Sequence, residues 1–253
     1  MALLAWIDIN AAKAIRSLVI ALLIVGAGIS WCGASSLQMS PIRLEIPSGA
    51  NATALNLQNK GDNAIHLQLR VFRWTQAMGE DVLTPSEEIV VSPPFIVIEP
   101  GQEQLIRIMR TPDTPSGTEV NYRLLVDEIP DAKANPQIGV QLRMRHSLPV
   151  FVNRSNTTPA EVTFSLQTAG DTWQLLATNS STRSAQIREA EIINAQGKVI
   201  LAEPELIGYA LPGSQRIWPL KTTDGFTGKG GLFIRIKINN KTLELPLNIQ
   251  TPR

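Results

Sequence analysis

The chain has 253 residues, with 23 lysines and arginines against 22 aspartates and glutamates, 2 histidines and 1 cysteine. A charge this balanced offers neither the basic surplus nor the basic stripe of a nucleic-acid binder, so no nucleic-acid partner is expected. One cysteine cannot form a disulfide within the chain, and His66 and His146 alone make a poor metal set.

The first residues read as a targeting segment rather than as part of a fold. Lys13 and Arg16 precede an apolar run from Leu18 to Ile29, which ends in Ser30-Trp31-Cys32-Gly33-Ala34. A positive start, a short apolar centre and a small-residue exit describe a secretory signal peptide over residues 1–34. The run falls short of the roughly 20 apolar residues a spanning helix needs. An uncleaved anchor stays open as the alternative, because the positive region is long. Trp31 stands where a lipid-attachment site would want a small residue, which disfavours lipidation of Cys32. Cleavage after Ala34 would remove the cysteine, leaving a chain that must hold together by packing in an oxidising compartment. The remainder suffices for one large all-β domain or two of roughly 100 residues each.

From Leu44 onward apolar residues alternate in short runs punctuated by turn signals, and helical periodicity is nearly absent. Leu44 and Ile46 open the series, followed by Ala54-Leu55-Asn56-Leu57 and the Asn59-Lys60-Gly61-Asp62 turn. Ile65, Leu67, Leu69 and Val71 then alternate with His66, Gln68, Arg70 and Phe72. Glu87-Glu88 reads as a solvated strand entry. Phe95 to Ile98 ends at Glu99-Pro100-Gly101, where proline presets φ and glycine accepts a positive one. Leu105 to Met109 and Tyr122 to Val126 follow as strands.

Residues 138 to 151 form the next extended segment, and Asn153 to Pro159 is polar and turn-rich. A second strand series runs from Val162 to Ile249. About seven strands on each side of one junction point to an all-β protein of two tandem Ig-like β-sandwich domains, at 35–154 and 155–253. A single large barrel is the alternative.

Within the 138 to 151 segment, Ile138, Val140, Leu142 and Met144 share one side of an extended chain, while Gln141, Arg143 and Arg145 share the other. Such a strand either closes its own core or offers its apolar side chains to another protein. Nothing in the sequence suggests an enzyme or a cofactor site: it holds no Gly-x-Ser-x-Gly elbow, His-Glu-x-x-His helix or His/Cys ligand spacing. Trp74, Trp173 and Trp218 are scattered, as core residues would be, rather than gathered into a sugar-binding groove.

Four stretches together resemble the PapD-like periplasmic chaperones of the chaperone–usher pathway of pilus assembly. They are Ser40-Pro41-Ile42-Arg43-Leu44, the run from Pro93-Pro94-Phe95 to Glu99-Pro100-Gly101 and on to Ile108, Tyr122 to Pro130, and the alternating strand closing in Leu148-Pro149-Val150-Phe151-Val152. That last ending is most similar to the archaic branch, whose members serve spore-coat-U-like subunits.

The resemblance implies two Ig-like domains in an L shape, with a cleft that grips a pilus subunit in the periplasm and passes it to an outer-membrane usher. It also implies donor-strand complementation, with Ile138, Val140, Leu142 and Met144 filling the groove of a subunit that lacks its last strand. Arg43 falls where the family keeps a cleft arginine for the subunit's C-terminal carboxylate. The family's second cation, a lysine, is missing from Ser147-Leu148-Pro149, leaving Arg145, Arg107 or His146 as substitutes. Glu128 matches an interdomain glutamate, with Arg154 and Asp224 as candidate partners. Self-association could hide the apolar strand of the free protein. The competing expectation is a secreted Ig-like structural or adhesin component of a surface fibre.

Overall fold

The structure, a computed structural model, describes residues 37–115, 117–131, 142–153, 161–170, 172–222, 226 and 230–250. The expected signal peptide therefore lies outside the described residues, as do Ile138, Val140, Arg154 and Asp224. The described residues are all β, without a helix.

The first set of strands is β1 (Leu37–Ser40), β2 (Leu44–Ile46), β3 (Ala52–Asn59), β4 (Ile65–Ala77), β5 (Glu80–Pro85), β6 (Ile89–Ser92), β7 (Phe95–Ile98), β8 (Glu103–Arg110), β9 (Val120–Glu128) and β10 (Arg145–Val152). They form two layers, β1-β3-β8-β6 and β2-β10-β9-β4-β5, with β7 added to β4. Side chains alternate across each strand, so Leu55, Leu57, Ile106 and Ile108 meet Leu67, Leu69, Leu124, Val126, Val150 and Val152 in one buried core. The chain changes layer between β1 and β2, and β2 then runs parallel to the end of β10.

The second set is β11 (Val162–Ala169), β12 (Thr172–Asn179), β13 (Ala185–Asn194), β14 (Val199–Ala210), β15 (Gln215–Pro219), β16 (Leu232–Ile238) and β17 (Lys241–Ile249). These form a second sandwich with a core of its own, including Phe164, Leu166, Ile187, Ile192, Ile234 and Ile236. Strand β17 pairs with β16 through Leu247 and then with β11 at Asn248 and Ile249, which joins the two layers.

One device recurs in both sandwiches. The buried Asn59 side-chain amide donates to the carbonyls of Asn63 (2.7 Å) and Ile98 (2.8 Å), and its oxygen accepts the Gly61 amide at 2.9 Å. Asn179 does the same work for Arg183 and Ala210, both at 2.8 Å, and for the Ser181 amide at 3.0 Å. A buried turn has to satisfy its backbone groups, and one asparagine side chain supplies donor and acceptor together.

Glu87 is exposed, but Glu88 is not the solvated residue its neighbourhood suggested. Its carboxylate accepts from Arg73 at 2.7 Å, from the Tyr122 hydroxyl at 2.8 Å and from Ser86 at 3.2 Å. Partial burial works against its ionised form, but the hydrogen bonds from Tyr122 and Arg73 and the charge of Arg73 outweigh that and hold its pKa below the usual value. The linkage sign follows. A depressed folded-state pKa stabilises the fold above the unfolded glutamate value of about 4.3, and the contribution disappears as pH falls through the folded value. Glu88→Gln is therefore expected to lower urea stability at pH 7, with the gap from the native chain narrowing by pH 3. A gap constant with pH would exclude this linkage.

Candidate functional site

Strand β10 is covered on only part of one side. It pairs with β9 along its whole length, whereas β2 meets it only at Val150, Phe151 and Val152. Among the described residues, Arg145 to Pro149 has no strand on the β2 side, so its edge is open. The ladder to β9 extends one residue further back, where Met144 accepts the Glu128 amide at 3.0 Å. Met144 itself is 42% exposed, and Leu142, upstream of that bond, is 80% exposed. Both stand outside the sandwich core, at the entrance to an open strand edge.

The outer face of the β2-β10-β9-β4 layer turns toward the second domain. Trp74 and Phe151 meet Tyr209 there, with ring centroids 5.5 Å apart in each pair, and Leu211 completes a buried cluster separate from both sandwich cores. Trp74 is thus buried as expected, but against the neighbouring domain. Arg123 stacks on the Trp74 ring with its guanidinium carbon 3.8 Å from the centroid, and Nη1 reaches the Ser147 carbonyl at 3.4 Å. Burial lowers the Arg123 pKa, opposed by the negative charge of Asp81 and by Tyr209. An arginine stays cationic regardless.

Arg43 lies beside the same cluster, 5.2 Å from the Phe151 ring centroid, and pairs with Glu45. The register relates the two arginines. Leu44 pairs with Val150, so Arg43 falls level with Pro149, and Pro149 pairs with Arg123. With strands about 4.8 Å apart, the two arginine backbones stand about 10 Å apart across Pro149. Long side chains from both can converge on one small anion there.

The other expected cations are placed differently. Arg145 pairs with Asp127, which also holds Arg70 at 2.7 Å. Desolvation of Asp127 is outweighed by the hydrogen bonds from Arg145 and Arg70, so its pKa is lowered. Arg107 is exposed on the outer side of the opposite layer, level with Ala54 and Ser92. His146 follows Arg145 in β10 and is half-buried. Arg123 was not singled out in the sequence, where it reads as one polar residue in an alternating strand.

Glu128 ends β9 beside Met144, whose amide lies 3.5 Å from its carboxylate. Glu119, which immediately precedes β9 at its other end, reaches the second domain. It is buried and accepts the Ser184 amide at 2.9 Å. Among the described residues no group of three or more His, Cys, Asp or Glu could hold a metal ion.

The described structure thus sets two Ig-like sandwiches against each other through an aromatic cluster, with an open strand edge and two arginines beside it. Residues 36–157 match the family described as pili and flagellar-assembly chaperone, PapD N-terminal domain, so the first domain is a PapD-type chaperone domain.

The two-domain fold is likewise that of pilus chaperones. The chain is similar to the CsuC–CsuE chaperone–tip adhesion subunit pre-assembly complex from the archaic chaperone–usher Csu pili of Acinetobacter baumannii (TM-score 0.65, 22% identity, covering 85% of this chain and 100% of that one). It is similar to the YadV chaperone (TM-score 0.60, 18% identity, 83% and 99% covered). A third likeness is to the Salmonella enterica SafA pilin–SafB chaperone complex (TM-score 0.59, 15% identity, 85% and 97% covered). A search of curated protein sequences found no match.

Proposed function

We propose that the protein is a periplasmic chaperone that stabilises pilus subunits by donor-strand complementation and hands them to an outer-membrane usher. The observation that carries this reading is the open edge of β10, approached through exposed Leu142 and Met144 and running on to Pro149, which lies level with Arg43 on one side and Arg123 on the other. A subunit lacking its last strand exposes unpaired backbone groups and an apolar groove. In this reading the described end of the lent segment, Leu142 to Met144, meets the first with its backbone and the second with the side chains of Leu142 and Met144.

At roughly 1.5–3 kcal/mol for each fully buried side chain, Leu142 and Met144 would contribute on the order of 3–6 kcal/mol before ordering costs. The subunit's C-terminal carboxylate is received between Arg43 and Arg123, where guanidinium forks match its planar geometry. Arg123 takes the place of the family lysine absent from Ser147-Leu148-Pro149. Release needs no nucleotide, because a neighbouring subunit's own extension can replace the lent strand.

The test is co-purification. Tagged protein isolated from the periplasm of the native host is expected to carry small secreted subunits in a one-to-one complex. Recovery without any such client, under conditions where fimbriae are assembled, would overturn the reading.

A further inference from the structure

The tip of the β4–β5 hairpin crosses to the second domain and makes a compact set of bonds there. Gln76 acts like a short strand partner: its side-chain nitrogen donates to the Tyr209 carbonyl at 2.7 Å, and its oxygen accepts the Leu211 amide at 2.9 Å. Three residues on, the Gly79 carbonyl receives two donors from β15, the Ile217 amide at 2.9 Å and Arg216 Nη1 at 2.6 Å. Arg216 also bonds Glu80 at 2.6 Å and lies 3.9 Å from Asp81, which closes the tip from its other side.

A larger residue at position 79 would force its neighbours to shift. Its φ is +78°, and a Cβ added to it would stand 2.5 Å from both Cδ1 and Cγ1 of Ile217. Met78 beside it is 99% exposed, so the turn is not held by burying its own apolar side chain. Backbone contact between the domains holds it.

We infer that the Gln76–Asp81 tip is a latch that fixes how the second domain sits on the first, and that Gly79 is a positioning residue for subunit capture. The capture half of this inference rests on the function proposed above. The aromatic cluster of Trp74, Phe151 and Tyr209 is apolar contact, which tolerates sliding. The bonds at Gln76, Gly79 and Arg216 are directional and set a single placement.

The test uses spin labels at Lys60→Cys and Lys241→Cys, two exposed positions on different domains, and reads their distance distribution in the free protein. The native background is expected to give one narrow distribution, and Gly79→Ala to broaden or shift it. Gly79→Ala is also expected to weaken purified-subunit binding at least tenfold, with the melting transition retained.

Adding Ile217→Ala to Gly79→Ala removes the two 2.5 Å contacts but leaves the Cβ of residue 217 at 2.9 Å and the strained φ. It should narrow the distribution and raise affinity part of the way back from the Gly79→Ala values. Arg216→Ala, which imposes no backbone strain, should broaden the distribution without loss of fold. An unchanged distribution in both Gly79→Ala and Arg216→Ala would overturn the latch. Full-strength capture by a broadened variant would overturn the positioning role. If the native protein captures no subunit while the distances respond as expected, the latch stands and the proposed chaperone function falls.

Discussion

Leu142→Glu is expected to abolish recovery of subunits with the protein, lowering affinity by more than about a hundredfold, while leaving the melting temperature unchanged. Two terms add. The variant forfeits the roughly 1.5–3 kcal/mol gained on burying a leucine. It also asks an apolar groove to accept a carboxylate, which costs further free energy because no partner charge waits there. The fold is spared because Leu142 is 80% exposed and belongs to neither core. The measurement is a paired pull-down and thermal melt. Normal complex formation by the variant would remove the lending role of this segment. A lowered melting temperature would place Leu142 in the chaperone's own packing.

The second large effect is expected at the two arginines. Hydrogen bonds to charged groups contribute about 1.5–3 kcal/mol, so Arg43→Ala or Arg123→Ala alone should weaken binding about 10- to 100-fold. If both grip one carboxylate, their effects will not add, and the double variant will be little worse than either single one. A subunit whose C-terminus is amidated should bind the native protein weakly and be nearly blind to both substitutions. Isothermal titration with amidated and free subunits completes the cycle. Strict additivity with no dependence on the client's terminus would exclude a shared carboxylate. Arg123→Lys should not rescue, since an ammonium keeps the charge but loses the flat stacking on Trp74.

Residues that act through local alternation were readable in the sequence. Leu67, Leu69, Leu124, Val126 and Val150 declare a buried face by spacing alone, and the structure packs them together. Leu142 and Met144 stood out for the same reason, as members of one apolar face, and the structure leaves them exposed upstream of a strand end that is core. What stayed hidden depends on strands brought together from far apart in the chain. Arg123 matters because Pro149 pairs beside it and Trp74 lies under it, and neither neighbour is near it in sequence. Glu119 sits in a polar stretch before β9, so nothing local marks it as crossing to Ser184. The β5 strand escaped notice because it is exposed along its length and has no apolar face to betray it. Asn59 read as an ordinary turn former and Asn179 was not singled out; each ends a strand, and only the folded chain shows them doing one job twice.

Pro149 gives the open strand a safeguard. Asn153 donates its amide to the Ile46 carbonyl at 3.0 Å, so odd-numbered residues of β10 aim their backbone groups toward β2. Pro149, having no N–H, therefore deletes one donor from the uncovered border. An unprotected border recruits any extended polypeptide and seeds fibrous clumping. Missing a rung, and with charged Arg145 at its far end, this border is a poor template for stray chains and for copies of itself. Only a visitor that also brings a fitting groove and a terminal anion would recover what the gap withholds.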